Sequence, residues 1–145
     1  MRLIKVLMSR KGKPIDFVRI QPAIDKFCQK HQISLLYLFG SYSSGKMGFL
    51  SDVDIAYLGN AECLDLMEEL TDIFEDEAID IVDLKEAPPL LTHHILKGRC
   101  LYAKTLATKI NFESHAEAVY FDTAPLRRTY FKSMLGRIND GTFGY

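Results

Sequence analysis

Residues 36–58, LYLFGSYSSGKMGFLSDVDIAYL, decide the fold, because they join two apolar strands through a Gly-Ser turn and open the second strand with two carboxylates. Successive side chains of a strand point to opposite faces, so Asp52 and Asp54 share one face while the apolar residues that alternate with them share the other. Two like charges held this close repel each other unless a cation lies between them. Paired carboxylate oxygens are typical ligands of Mg²⁺ that bridges phosphates, so this stretch predicts a metal-dependent phosphate site.

Gly40 and Ser41 follow the first strand directly. A glycine lets the backbone approach a ligand closely, and backbone N–H groups together with a hydroxyl are suited to bind a phosphate. Residues 40–46, GSYSSGK, also read as the G-x-x-x-x-G-K of a P-loop. A P-loop opens a long helix and needs a hydroxyl after the lysine, whereas Met47 follows here and the next strand begins by Asp52. The sequence therefore favours a phosphate-binding turn between two strands.

A further acidic strand is predicted at residues 78–84, AIDIVDL. Asp80 and Asp83 differ by an odd number of positions, so a regular strand sends them to opposite faces and only one can join the pair on the second strand. We favour Asp80, because it lies between Ile79 and Ile81, where an unpartnered charge would be costly. Asp83 lies near the strand end, where it can reach water or cap the following loop.

The Gly-Ser pair at residues 40–41 and the DVD sequence at residues 52–54 are ten residues apart. This spacing resembles the GS-x10-DxD signature of the polymerase-beta-like nucleotidyltransferases, in particular the minimal nucleotidyltransferase (MNT) family. The resemblance covers residues 33–102, about half of the chain. The chain departs from the family pattern within the turn, where family members often carry an arginine in place of Ser44 and an acidic residue in place of Lys46.

The resemblance implies an α/β (α+β) fold, with a small mixed β-sheet flanked by helices, nucleotidyltransferase-like, and a C-terminal helical tail. Asp52, Asp54 and Asp80 would be the catalytic carboxylates and would hold Mg²⁺. Gly40 and Ser41 would bind the outer phosphates of the substrate ATP. The expected reaction is nucleotidyl transfer with release of pyrophosphate.

The expected acceptor is a protein. MNT-family proteins are commonly encoded with HEPN-family partners, so the resemblance implies an antitoxin that transfers AMP from ATP to a tyrosine of a HEPN-family toxin ribonuclease. Two alternatives stay open. One is a small-molecule nucleotidyltransferase of the aminoglycoside-modifying type, and the other is a catalytically inactive antitoxin that acts by binding alone.

The composition is that of an ordinary globular domain. The chain has 145 residues, of which 48% are hydrophobic and 26% charged, and its formal net charge is −1. This balance does not favour direct nucleic-acid binding, and no apolar run approaches the length of a membrane span. Three scattered cysteines without C-x-x-C spacing predict neither a disulfide framework nor a zinc site. We therefore expect a cytoplasmic protein.

We expect residues 1–103 to form the nucleotidyltransferase domain and residues 104–145 to form a helical C-terminal extension packed on the same domain. Pro125 predicts that the extension divides into two helices. Aromatic and basic residues are interleaved along residues 120–137. This pattern is typical either of a helix face that packs onto the domain or of a surface that binds a partner.

Helix signals place the remaining elements. A helix is predicted at residues 15–31 with Pro22 near its start. A second amphipathic helix is predicted after an N-cap at Asn60. A third is predicted at residues 90–97, with Gly98 as its C′ residue.

Overall fold

The computed structural model describes residues 14–40, 52–76 and 78–139 of the chain. These residues form, in chain order, α1 (Phe17–Lys30), β1 (Leu35–Phe39), β2 (Val53–Leu58), α2 (Cys63–Phe74), β3 (Ile79–Asp83), α3 (Pro89–Leu96), β4 (Arg99–Ala103), α4 (Leu106–Asp122) and α5 (Ala124–Asn139). None of these helices has the length and apolarity that spanning a bilayer requires.

The four strands form one mixed sheet in the order β3-β2-β1-β4. β1 runs antiparallel to both of its neighbours, whereas β2 and β3 are parallel. Four of the five residues of β1 are buried, because the strand lies inside the sheet with helices on both faces. The antiparallel pairing of β1 with β2 differs from the parallel crossover of a P-loop unit. The predicted mixed sheet is confirmed.

Helices cover both faces of the sheet, and alternate strand residues supply two separate cores. α1 and α2 pack on the first face, where the core includes Ile24, Phe27, Leu38, Ile55, Leu70 and Phe74. α3 packs on the second face with part of α4, where the core includes Leu35, Tyr37, Ala56, Ile95 and Phe112.

The start of α1 differs from the prediction. The helix begins at Phe17, and its N-cap is Asp16, whose carboxylate accepts a hydrogen bond from the Arg19 N–H at 3.2 Å. Pro22 therefore lies inside the helix, not near its start. The Asp16 carboxylate accepts a hydrogen bond from a backbone N–H of the first turn, which is how an N-cap stabilises a helix.

α2 also begins later than predicted. Its N-cap is Glu62, so the prediction of Asn60 at this position was wrong. The Glu62 side chain makes no capping hydrogen bond. The helix is instead held by its apolar face, whose buried residues are Leu66, Leu70 and Phe74. Packing against the sheet outweighs capping chemistry here, as is usual for helices in folded proteins.

The two C-terminal helices differ from the others, because no residue of α4 or α5 is buried. Polar contacts help attach α4: the Tyr37 hydroxyl donates a hydrogen bond to Glu113 at 2.7 Å. A ring nitrogen of His93 lies 2.9 Å from the Glu117 carboxylate. α5 follows after a single turn residue, close to Pro125, so the predicted division into two helices is confirmed.

Candidate active site

The carboxylates singled out in β2 and β3 lie side by side. In the parallel pairing of these strands, Asp54 is the partner of Asp80. Both lie on the sheet face that carries Ala56, since residues two apart in a strand share a face and in-register neighbours point the same way. Asp52 immediately precedes β2, two residues before Asp54. The chain thus brings three carboxylates to the N-terminal ends of β2 and β3. We call this end of the sheet the carboxylate edge.

Asp83 lies apart from this edge. Its carboxylate accepts a hydrogen bond from the Lys85 N–H at 2.9 Å and so caps the turn after β3. Its strand partner is Tyr57. The separation of Asp83 from Asp80 agrees with strand parity. The expectation of a buried charge at Asp80 was wrong, because this residue is exposed and its charge is solvated.

The pKa of Asp54 reflects the crowding at this edge. Its side chain is partly buried, and burial raises the pKa above the ordinary carboxyl range because loss of water disfavours the charged form. The carboxylate of Asp80, and then that of Asp52, raises the Asp54 pKa further. A bound cation would reverse this effect, since it favours the ionised form of every carboxylate around it.

The backbone that follows β1 closes against the Asp54 carboxylate. Gly40 has a φ of +73°, in the left-handed region that side chains rarely adopt. A Cβ atom at Gly40 would lie 3.2 Å from Cγ of Asp54 and would overlap its Oδ2 atom. Glycine is therefore required at this position for two reasons: the backbone has a positive φ, and a Cβ atom would overlap the Asp54 carboxylate. Ser41, Ser44 and Lys46 lie outside the described residues.

A second glycine supports the same turn, and sequence reasoning missed its role. Gly98 is the C′ residue of α3, as predicted. Its φ is not positive, since Gly40 is the only described glycine with a positive φ. A Cβ atom at Gly98 would lie 3.0 Å from Cα of Phe39 and 3.1 Å from the Ile95 carbonyl oxygen. Gly98 thus lets the α3–β4 turn approach the end of β1. No local pattern signals this contact, since it joins residues far apart in the chain.

The carboxylate oxygens at this edge fit Mg²⁺, because proteins usually bind this ion through one or two carboxylates together with substrate phosphates. Because Gly40 has no Cβ atom, the backbone at this residue can lie directly beside the Asp54 carboxylate. Among the residues that the structure describes, no group of three or more His, Cys, Asp or Glu side chains is arranged to hold a metal ion.

Known proteins are similar to this chain in sequence. Residues 22–106 match the family model described as polymerase beta, nucleotidyltransferase. The protein adenylyltransferase MntA of Shewanella oneidensis is 37% identical over 78 residues, which make up 49% of this chain and 55% of that relative. This chain thus spans about half the length of the curated relative that it matches.

Solved structures share the fold. A chain from a toxin-antitoxin crystal structure with AMP-PNP has a TM-score of 0.55 at 23% identity, covering 83% of this chain and 96% of that one. A chain from the complex of tri-AMPylated Shewanella oneidensis HEPN toxin with MNT antitoxin has a TM-score of 0.53 at 21% identity, covering 86% and 97%. The family match covers more than half of the chain and includes both carboxylate strands, so this protein belongs to the polymerase beta nucleotidyltransferase family.

Proposed function

We propose that this chain is a Mg²⁺-dependent nucleotidyltransferase that transfers AMP from ATP to a tyrosine of a HEPN-family toxin ribonuclease, and so acts as its antitoxin. Family membership supports the reaction class, and the relative named protein adenylyltransferase supports ATP and a protein acceptor. The observation that carries the proposal is the pairing of Asp54 with Asp80 beside the Gly40 turn.

The residues of the edge divide the work of this reaction. Gly40 and Ser41 bind the outer phosphates of ATP through backbone N–H groups and a hydroxyl. Asp52, Asp54 and Asp80 would hold Mg²⁺, which would supply positive charge to neutralise the leaving pyrophosphate and to lower the pKa of the attacking hydroxyl. The acceptor oxygen bonds to the α-phosphorus, the bond to the pyrophosphate oxygen breaks, and the hydroxyl proton passes to a carboxylate of the site.

The extent and the location of the enzyme are part of the proposal. Residues 1–103 form the nucleotidyltransferase domain, and residues 104–145 form an extension of it. The end of the family match at residue 106 supports this boundary, as does the lack of buried residues in the two helices beyond it. A cytoplasmic location is supported by the free thiols of all three cysteines, which are typical of a reducing compartment.

Asp54→Asn tests the reaction. Asparagine keeps the shape of the side chain but removes its charge, so AMP transfer to the HEPN-family protein should fall at least about a hundredfold, since metal-assisted charge stabilisation contributes several kcal/mol. The measurement is the incorporation of label from ATP labelled in the α-phosphate, together with pyrophosphate release. Asp83→Asn is the matched control, because Asp83 lies on the same sheet but outside the site.

Three results would contradict this assignment. Full transfer by the Asp54→Asn variant would exclude the carboxylate site. An equal loss in the Asp83→Asn control would show that the register of β3 differs from the one described. ADP and inorganic phosphate as the main products would indicate hydrolysis of the P-loop type.

The stability of the Asp54→Asn variant supplies an independent readout. A raised pKa means that the folded state binds the proton more tightly than the unfolded state, so stability is lost as pH rises from the ordinary carboxyl pKa through the raised one. Without Mg²⁺, the variant should therefore melt at a higher temperature than the natural chain at neutral pH. The difference should vanish below a pH of about 3.9. Added Mg²⁺ should stabilise the natural chain more than the variant.

A second candidate function is neutralisation of the toxin by binding alone. It is favoured by one observation, namely that Ser44 and Lys46 stand where members of the family often carry an arginine and an acidic residue. The Asp54→Asn variant separates the two functions. Toxin inhibition that survives this substitution at full strength would support binding alone, whereas inhibition that is lost together with AMP transfer would support the enzyme.

A further inference from the structure

The last helix of the described residues, α5, carries an apolar surface that these residues leave exposed. α5 has 16 residues and none of them is buried. Isolated helices of about this length are marginal in water, and soluble monomers rarely expose a large contiguous apolar patch. We call this surface the α5 face, and its members are Leu126, Tyr130, Phe131, Leu135 and Ile138, with exposures between 45% and 73%.

The members of the α5 face form two strips that together cover about half of the helix circumference. Phe131, Leu135 and Ile138 follow the i, i+4, i+7 spacing of a single helix face. Leu126 and Tyr130 are four residues apart and so lie one above the other on the neighbouring strip. Helices of soluble proteins normally direct their apolar residues toward a core, whereas the described residues leave those of α5 exposed.

Positive charge accompanies the α5 face. The helix contains four basic residues and no acidic one, although the whole chain has a net charge of −1. A surface of this kind fits a protein partner that offers an apolar groove with an acidic rim. Nucleic acid would be attracted by the same charge, but three of the five members are aliphatic and offer no ring for base stacking. The composition therefore favours a protein.

The course of α4 leads toward the edge that carries the carboxylates. α4 begins beside the start of β1, where the Lys104 N–H donates to the Ser34 carbonyl at 2.8 Å. Farther along, Glu113 accepts the hydrogen bond of Tyr37 in the middle of β1. The helix and the strand thus run in the same direction, toward Gly40. α5 continues from that end of α4.

The first turn of α5 is fixed to the body of the protein. The Arg127 guanidinium donates to the Tyr120 carbonyl at 2.7 Å and lies 4.0 Å from the centre of the Tyr120 ring. The Tyr120 ring in turn stacks on His93 of α3, with 3.7 Å between the ring centres. A docked partner would therefore be held in a defined direction relative to the sheet, because α5 is anchored at its base.

We propose that the α5 face is the docking surface for the protein that accepts the nucleotidyl group, and that this partner presents an apolar groove with an acidic rim. Docking beside the carboxylate edge would bring the acceptor hydroxyl to Asp54 and Asp80. The identity of the acceptor rests on the proposed function, whereas the surface itself rests on the exposure, charge and position of α5.

The test measures the affinity of the full chain for a HEPN-family toxin, by calorimetry without ATP. Phe131→Ser with Leu135→Ser should weaken binding at least about tenfold, because interface energy is concentrated in a few central apolar residues. Arg128→Glu with Lys132→Glu should weaken it comparably and reduce its salt dependence. Leu64→Ser is the matched control, because Leu64 is 84% exposed on the acidic helix α2. All the changed side chains are exposed, so melting temperatures should stay equal.

The results separate the docking inference from the proposed reaction. AMP transfer with unchanged affinity in the α5 variants would overturn the inference and leave the reaction standing. Binding that depends on α5, without AMP transfer by the natural chain, would uphold the inference and overturn the reaction. The inference would also be overturned by α5 variants that change only the oligomeric state in ultracentrifugation, or that lose only the binding of a single-stranded RNA oligonucleotide.

Discussion

α2 and α5 both carry large apolar residues at helical spacing, but they differ in whether those residues are buried. α2 carries four acidic residues and no basic one, and its apolar residues Leu66, Leu70 and Phe74 are buried against the sheet. α5 carries four basic residues and no acidic one, and its apolar residues are exposed. Apolar residues at helical spacing therefore do not by themselves show what covers them. Whether the cover is the protein's own core or another molecule depends on where the chain places the helix.

The largest difference between the two helices should appear when a phenylalanine is removed from each. Phe74 is fully buried at the end of α2, so Phe74→Ala should lower the free energy of unfolding by about 3–5 kcal/mol. Phe131 is 45% exposed on α5, so Phe131→Ala should change it by less than about 0.5 kcal/mol. Denaturant unfolding of both variants provides the measurement. A comparable loss in the two would mean that α5 packs on the domain.

Two glycines should respond with opposite signs to the same substitution. Gly98→Ala forces a Cβ atom against the end of β1 and should destabilise the fold by about 1–3 kcal/mol. Gly136 lies within α5, where an added Cβ atom would meet nothing within 4 Å, so Gly136→Ala should stabilise α5 by up to about 0.5–1 kcal/mol. Circular dichroism melts would show the two shifts. Destabilisation by Gly136→Ala would indicate that a close contact covers α5.

The smallest effect is expected at the charged face of α2, where α1 supplies the partners. The Glu69 carboxylate lies 2.6 Å from the Lys30 ammonium and 3.0 Å from the His31 ring. The hydrogen bond from Lys30 is the main reason that the pKa of Glu69 is lowered, although burial opposes it. A lowered pKa contributes stability above the ordinary pKa, and this stability is lost as pH falls through the lowered value.

Glu69→Gln should therefore cost only about 0.2–1 kcal/mol at neutral pH, since water screens this partly exposed group. The cost should shrink below a pH of about 4.3 and in high salt. Chemical unfolding at several pH values and salt concentrations is the appropriate measurement. A cost that is independent of pH would show that Glu69 acts through packing and not through charge.

The parts of the fold that were predictable from sequence depend on short-range periodicity. The buried central strand and the separation of Asp80 from Asp83 both follow from side-chain alternation over a few residues. The position of Asp54 beside Asp80 does not, because it depends on the parallel register of two strands separated by a whole helix. The close approach of Gly98 to β1 also depends on tertiary packing.

The sequence also left two interpretations open for the aromatic residues of the C-terminal extension, and the structure divides them between the two. Tyr120 packs onto the domain through its stack with His93. Phe121, Tyr130 and Phe131 remain largely exposed. Periodicity alone could not distinguish them, since the four residues occur as two adjacent aromatic pairs, one on each helix.

The contact between Gly40 and Asp54 has a consequence for how this protein can evolve. A side chain at residue 40 would overlap the Asp54 carboxylate, so the change that best relieves the overlap is a smaller residue at 54. That compensation would remove the carboxylate beside which the turn is placed. It would also leave the left-handed backbone at residue 40 uncorrected. Single substitutions therefore cannot replace these two residues one after the other without loss of the site. A chain that has lost Gly40 regains the arrangement only by restoring the glycine.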